Sequence, residues 1–176
     1  HPTFYLPFGD LIVQSAADAK GTSTLFRVNK SLLAFNSPVF ADMFTLPNTS
    51  TQELYDGAPI VRVTDTAEDL TAVCSALYDI SSLSLPRFDP DAPIRLTGVM
   101  RLATKYQIDT IRRRVIEILD DSWPQTYDQW LRFQSQISAM TEIRDGSKDR
   151  LVGGKRFEDC IPEPAAAIRF ARDFDV

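Results

Sequence analysis

With 176 residues, 44% of them hydrophobic and 24% charged, the chain has the composition of a globular domain and falls outside the disordered and membrane-spanning classes. A net charge of −5 and a pI near 4.9 argue against a nucleic-acid or anionic-membrane surface as its main business. Two cysteines, Cys74 and Cys160, make neither a disulfide framework nor a zinc site, which points to a reducing compartment.

Two apolar runs, Leu11 to Val13 and Leu25 to Val28, flank a polar segment containing Gly21 and predict a hairpin of two strands. The next stretch, "NKSLLAFNSPVFADMF", loses the strand period. Ser37 before Pro38 predicts a helix cap with proline at the first helical position, so a pair of short helices follows, with Phe40, Met43 and Phe44 on one face. Residues 46–57 are expected to form a polar loop, and "PIVRV" a short third strand. Thr66 and Asp69 approximate a capping box ahead of a helix whose buried stripe is Leu70, Val73, Cys74, Leu77 and Tyr78.

Residues 81–93 carry three prolines and are expected to be a surface loop. Leu96, Val99, Met100, Ala103 and Tyr106 keep a helical period; Asp109 is expected to cap a further helix with Ile111, Val115, Ile118 and Leu119 inward, ended by Pro124. "TYDQWLRFQSQI" predicts an amphipathic helix with Tyr127, Trp130 and Leu131 facing in. The charged stretch from Arg144 to Glu158 holds three of the seven glycines and is expected to be a mobile loop. "PEPAAAIRFARDFDV" reads as the start of a last helix.

That helix repeats an earlier one. "AIRFARDFDV" aligns with "VMRLATKYQI", pairing Arg101 with Arg169, Leu102 with Phe170, Ala103 with Ala171, Tyr106 with Phe174 and Ile108 with Val176. Either a second helical pair begins here on the same packing rule, or helical periodicity alone has produced the likeness. The chain opens on His and stops within the second copy, and is expected to be a domain cut from a longer protein.

No catalyst is legible. A Ser or Cys nucleophile needs a base in reach, the one histidine is His1 at an expected exposed terminus, and Cys74 falls on an apolar helix face. "VGGKRF" fails the phosphate-loop pattern, because Asp149 stands where the first glycine belongs and Arg156 follows the lysine. Asp89 with Asp91, and Asp120 with Asp121, lack the other ligands of a calcium loop and read as turn and helix-end charges. Arg112, Arg113 and Arg114 point about 100° apart on a helix and cannot line one phosphate row; Glu117 is placed to pair with them. No cofactor or metal is expected. No stretch approaches the roughly 18 apolar residues of a bilayer span, and the start has neither basic leader nor apolar run, so no membrane or targeting signal is read in the residues given. The expected location, intracellular in cytoplasm or nucleus, follows the reducing compartment that the two cysteines suggest.

"FGDLIVQS", "LFRVNKSLLAFNSPVFADMF" and "RLATKYQIDTIRRRVIEIL" resemble, in order and spacing, the opening strand, the strand with helical hairpin, and the final helix pair of the BTB/POZ domain, and the two ends of the chain are similar to its fungal branch. The resemblance implies an α+β fold: a short mixed sheet covered by a cluster of helices over residues 4–122, with a small helical extension, truncated, over 123–176. It also implies a non-enzymatic protein–protein interaction module, a homo- or hetero-oligomerising scaffold or adaptor whose partner is another protein.

Asp10 and Lys30 match an acid and a base that in dimeric relatives meet in a charged pocket at the subunit boundary; an intrachain pair joining strand to helix is the other reading. Asn29 stands where the family commonly has His, which removes a titrating switch. The alternative function is a substrate adaptor of a cullin-based ubiquitin ligase. Relatives of that kind show a hydrophobic residue, any residue, then Glu; here the three are Met43, Phe44 and Thr45, and Thr45 removes a charge-assisted hydrogen bond of roughly 1.5–3 kcal/mol. Dimeric relatives also swap a strand and helix ahead of the first core strand, whereas "HPTFYLP" has room for a short strand alone.

Overall fold

The computed structural model describes residues 1–46, 53–124 and 126–176. The fold is α+β. Strands β1 (Leu11–Gln14), β2 (Leu25–Val28), β3 (Leu54–Tyr55) and β4 (Ala58–Arg62) form one sheet, and helices α1 (Lys30–Asn36), α2 (Pro38–Thr45), α3 (Ala67–Tyr78), α4 (Ala92–Lys105), α5 (Asp109–Asp120), α6 (Tyr127–Gly146) and α7 (Pro164–Phe174) complete it. The chain divides into two compact units, His1–Ser82 with Gly98–Arg112 and Leu83–Thr97 with Arg113–Val176.

In the first unit the strand order is β2-β1-β4-β3. β1 runs antiparallel to β2 with Leu11 opposite Val28, and parallel to β4 with Ile12 opposite Ile60. A parallel neighbour needs a crossover, and α1 and α2 lie in it. Leu11, Ile12 and Val13 are all buried, so β1 is covered on both faces; this is why its sequence is an unbroken apolar run and not an alternation. β2 alternates instead, with Phe26 and Val28 in and Leu25 and Arg27 half-buried. Its outer edge is closed by the N-terminal segment, through Arg27 N–H to Phe4 O at 2.8 Å and Leu6 N–H to Arg27 O at 2.9 Å. The expected short strand is thus one bridge, Tyr5 to Arg27.

The expected loop 46–57 contains β3. Asp56 (φ 49) and Gly57 (φ 75) form a two-residue turn with both central residues left-handed, the geometry that matches strand twist. The rest of that loop, residues 47–52, lies outside the described residues. Ser37 caps α2 as expected, its hydroxyl accepting Phe40 N–H at 3.1 Å, with Pro38 at the first position. Thr66 accepts Asp69 N–H at 3.1 Å, but the Asp69 carboxylate turns away from the cap to Arg101 at 2.6 Å. Asp109 is the first residue of α5 rather than its cap.

Two polar ties run through this unit. Asp65, buried, accepts Lys105 Nζ at 2.6 Å and the Tyr106 hydroxyl. The Tyr106 carbonyl accepts Ser37 Oγ at 2.5 Å, and its ring stacks on Phe40 with centroids 4.5 Å apart. The end of α4 is therefore fixed to the start of α2 and to the segment after β4. His1 is not exposed as expected: its ring stacks 4.9 Å from Phe26, Nδ1 accepts Phe4 N–H at 3.1 Å, and Nε2 lies 3.1 Å from Thr71 Oγ1.

In the second unit the expected surface loop is anchored. Leu83 and Phe88 are buried; Phe88 meets Phe133 edge-on at 5.5 Å and its N–H donates to Ser122 Oγ. α6 turns a different face inward from the one the sequence suggests: Tyr127 is 74% exposed, and Phe133, Ile137 and Met140 are the half-buried side. It continues through Gly146, where the sequence suggests a mobile loop, and the remainder is closed by a bridge between Val152 and Lys155 around Gly153 and Gly154. α7 starts as expected, at Pro164, with Glu163 accepting Ala166 N–H at 2.6 Å. Arg114 pairs with Glu117 at 3.2 Å, the local ion pair read from the sequence.

Candidate functional site

Asp10 precedes β1, and Lys30 opens α1. The first turn of any helix leaves backbone donors without internal partners, and a side-chain oxygen normally serves them. Asn29, the residue before α1, makes no such bond, because its side chain is used elsewhere: Nδ2 donates to Phe8 O at 3.2 Å, and Oδ1 accepts the Tyr78 hydroxyl at 3.0 Å. Asp10 supplies the missing acceptor from the neighbouring strand, taking Lys30 N–H at 2.7 Å. Strand and helix are joined as one of the two sequence readings required, but through the backbone of Lys30 and not its ammonium. That ammonium sits 5.3 Å from the centre of the Phe44 ring.

The same bonds fix Phe8. Pro7 and Phe8 occupy a turn closed by Gly9 N–H to Leu6 O at 3.1 Å, and Asn29 holds the Phe8 carbonyl. Gly9 has to be glycine: a Cβ there would lie 2.9 Å from the backbone of Arg27 and Val28. Arg27 Nε in turn donates to Gly9 O at 2.9 Å, and its Nη1 reaches Asp56 at 2.9 Å. The outcome is a phenyl ring 92% exposed on a backbone that is tied down on both sides. Tyr78, read from the sequence as part of a buried stripe, is 38% exposed, and burial of the rest pushes its phenol above the usual range, against the opposing effect of the Asn29 N–H.

Met43 and Phe44 are half-buried on α2, and Phe44 packs on Phe40 at 6.0 Å. Thr45 is exposed, with its hydroxyl folded back onto Asp42 O at 2.7 Å. Of the five residues singled out by sequence, Asp10, Lys30 and Phe44 are brought together directly. Phe8, Asn29 as a clamp, and Tyr78 were not identified; the proline turn "LPFG" is the signal that marks Phe8.

Cys74 is buried, and burial pushes its thiol up to about 12. It borders an apolar void of about 20 Å³ with Val13, Phe40, Leu70 and Tyr106, room for one water at most. Among the described residues, no helix is long and apolar enough to cross a membrane. No protein-family model and no curated protein matches this chain.

Proposed function

We propose that the chain is a non-enzymatic protein-interaction module whose docking surface is the Phe8 turn and the start of α1. The observation that supports this most is the Phe8 ring, 92% exposed on a clamped proline turn. An aromatic side chain held rigidly in water contributes area to a partner with little ordering cost, which is how interface hot spots are built. The resemblance to BTB/POZ domains, carried by the residues from Phe8 to Ser15 and from Leu25 to Phe44, supports the same reading and gives a second copy or another intracellular protein as the partner. Thr45 offers no charge and its hydroxyl is already bonded, which keeps the cullin-adaptor reading second. Light scattering over a concentration series, with capture of partners from a cell extract on the immobilised chain, tests the proposal: self-association or a specific partner is expected, and a strict monomer without one counts against it.

A further inference from the structure

The segment before β1 lies along the outer edge of β2, and one imidazole holds its first residues in place. Thr71 Oγ1 on α3 spends its proton on Ala67 O at 2.6 Å, so toward His1 Nε2, 3.1 Å away, it can only accept. Nε2 therefore carries the ring proton, and Nδ1 is bare. That bare nitrogen accepts two backbone donors, Thr3 N–H at 3.2 Å and Phe4 N–H at 3.1 Å. The ring is half-buried, its centre 4.9 Å from that of Phe26 on β2 and 5.3 Å from that of Phe4. Both ring nitrogens are thus committed to the neutral form, in one tautomer.

A proton on Nδ1 turns this acceptor into a donor that faces two N–H groups. Among the described residues no ion pair reaches the ring to offset that. On α3, Glu68 is exposed three residues before Thr71, Asp69 is held by Arg101 at 2.6 Å, and burial keeps the Cys74 thiol and the Tyr78 phenol protonated. On β2, Arg27 is turned to Gly9 O and Asp56. The α-amino group of His1 itself donates to Leu25 O at 2.7 Å. The bonds at stake are those that close the β2 edge, Leu6 N–H to Arg27 O and Arg27 N–H to Phe4 O.

We propose that His1 is a pH-operated latch: neutral, it pins Phe4–Leu6 to the edge of β2; protonated, it releases them and leaves Arg27 N–H and O open to another extended chain. The latch stands whether or not Phe8 docks a partner. Below the ordinary imidazole range, about pH 6.5, the released segment binds a proton that the pinned one does not, so the hold weakens as pH falls, by at most about tenfold per pH unit. Amide exchange in the whole chain between about pH 7 and pH 5 tests it, read as protection factors corrected for the intrinsic rate. Protection of the Leu6 and Arg27 amides is expected to fall about tenfold over that range. His1→Gln keeps a side-chain acceptor but cannot titrate, so its protection should be flat over the same range, whatever its level. His1 is the only histidine of the chain, and its ring nitrogen resonances are expected to show a bare Nδ1 and a protonated Nε2 at neutral pH. Unchanged protection in the parent chain, the same fall in His1→Gln, or a proton on Nδ1 at neutral pH would overturn the proposal.

Discussion

The carboxylate of Asp10 accepts the backbone N–H of Lys30 across 20 residues of sequence, capping a helix that its own preceding residue leaves uncapped. The contact therefore survives any change to the lysine side chain. Asp10→Ala is expected to cost about 1 kcal/mol, the usual value of a helix cap, whereas Lys30→Met loses no more than about 0.5 kcal/mol from the ammonium over Phe44. A double-mutant cycle by urea unfolding checks this. Coupling between the two sites should be close to zero; a coupling of about 1 kcal/mol or more restores the side-chain ion pair.

Asp65 is the anionic centre of the first unit, with Lys105 and the Tyr106 hydroxyl as donors. Asp65→Ala leaves the Tyr106 phenol without its acceptor while Lys105, 41% exposed, turns to solvent, and should cost about 2–3 kcal/mol. Tyr106→Phe removes one donor while the lysine stays paired, and is expected to cost about 1–2 kcal/mol. Denaturant midpoints rank the two: equal losses would mean that the carboxylate contributes nothing beyond the phenol.

Stability should fall in alkali. Burial raises the Cys74 thiol from 9.0 to about 12, and burial followed by the Asp65 carboxylate holds the Tyr106 phenol above its ordinary 10.0. Both groups are protonated in the fold and ionise sooner when unfolded, so their contribution is whole below pH 9 and is lost as pH rises beyond it. Each ionising group removes up to about 1.4 kcal/mol per pH unit. Chemical unfolding at successive pH values should show a steeper decline above pH 9 than Cys74→Ala does; an unchanged slope in that variant contradicts the assignment.

Gly98 lies in α4 where a Cβ would come 2.3 Å from Asp69 Oδ1. Glycine inside a helix normally costs about 1 kcal/mol against alanine, so Gly98→Ala would stabilise an isolated helix. Here it is expected to destabilise, by displacing Asp69 from Arg101. In an Asp69→Ala background the sign should reverse to a gain of up to about 1 kcal/mol. Thermal melts of the four proteins decide it.

How far the sequence revealed this depends on where each signal lived. Ser37–Pro38, the β1 and β2 runs and the Leu70, Val73 and Cys74 part of the α3 stripe were legible because local chemistry and burial agree there, whereas Tyr78 at the end of that stripe is exposed. β3 was missed because its two residues are both exposed and only the Asp56–Gly57 pair betrays the turn. α6 was misread on its inner face because its apolar residues are spread around the helix and packing alone chose Phe133 over Trp130. Asp10 and Lys30 were found as a pair, yet the pairing turned on a backbone donor, which no side-chain pattern records. Phe8 escaped notice for the opposite reason: an apolar residue is assumed to go inside, and this one is held out.

The most direct measurement is the affinity of the chain for itself or its captured partner, compared with Phe8→Asp at matched thermal stability. A hot spot of about 2 kcal/mol makes the variant roughly 30-fold weaker with an unchanged melting temperature. Equal affinity in the two proteins would contradict the account, because the ring at the tip of the turn would then be surface without a purpose.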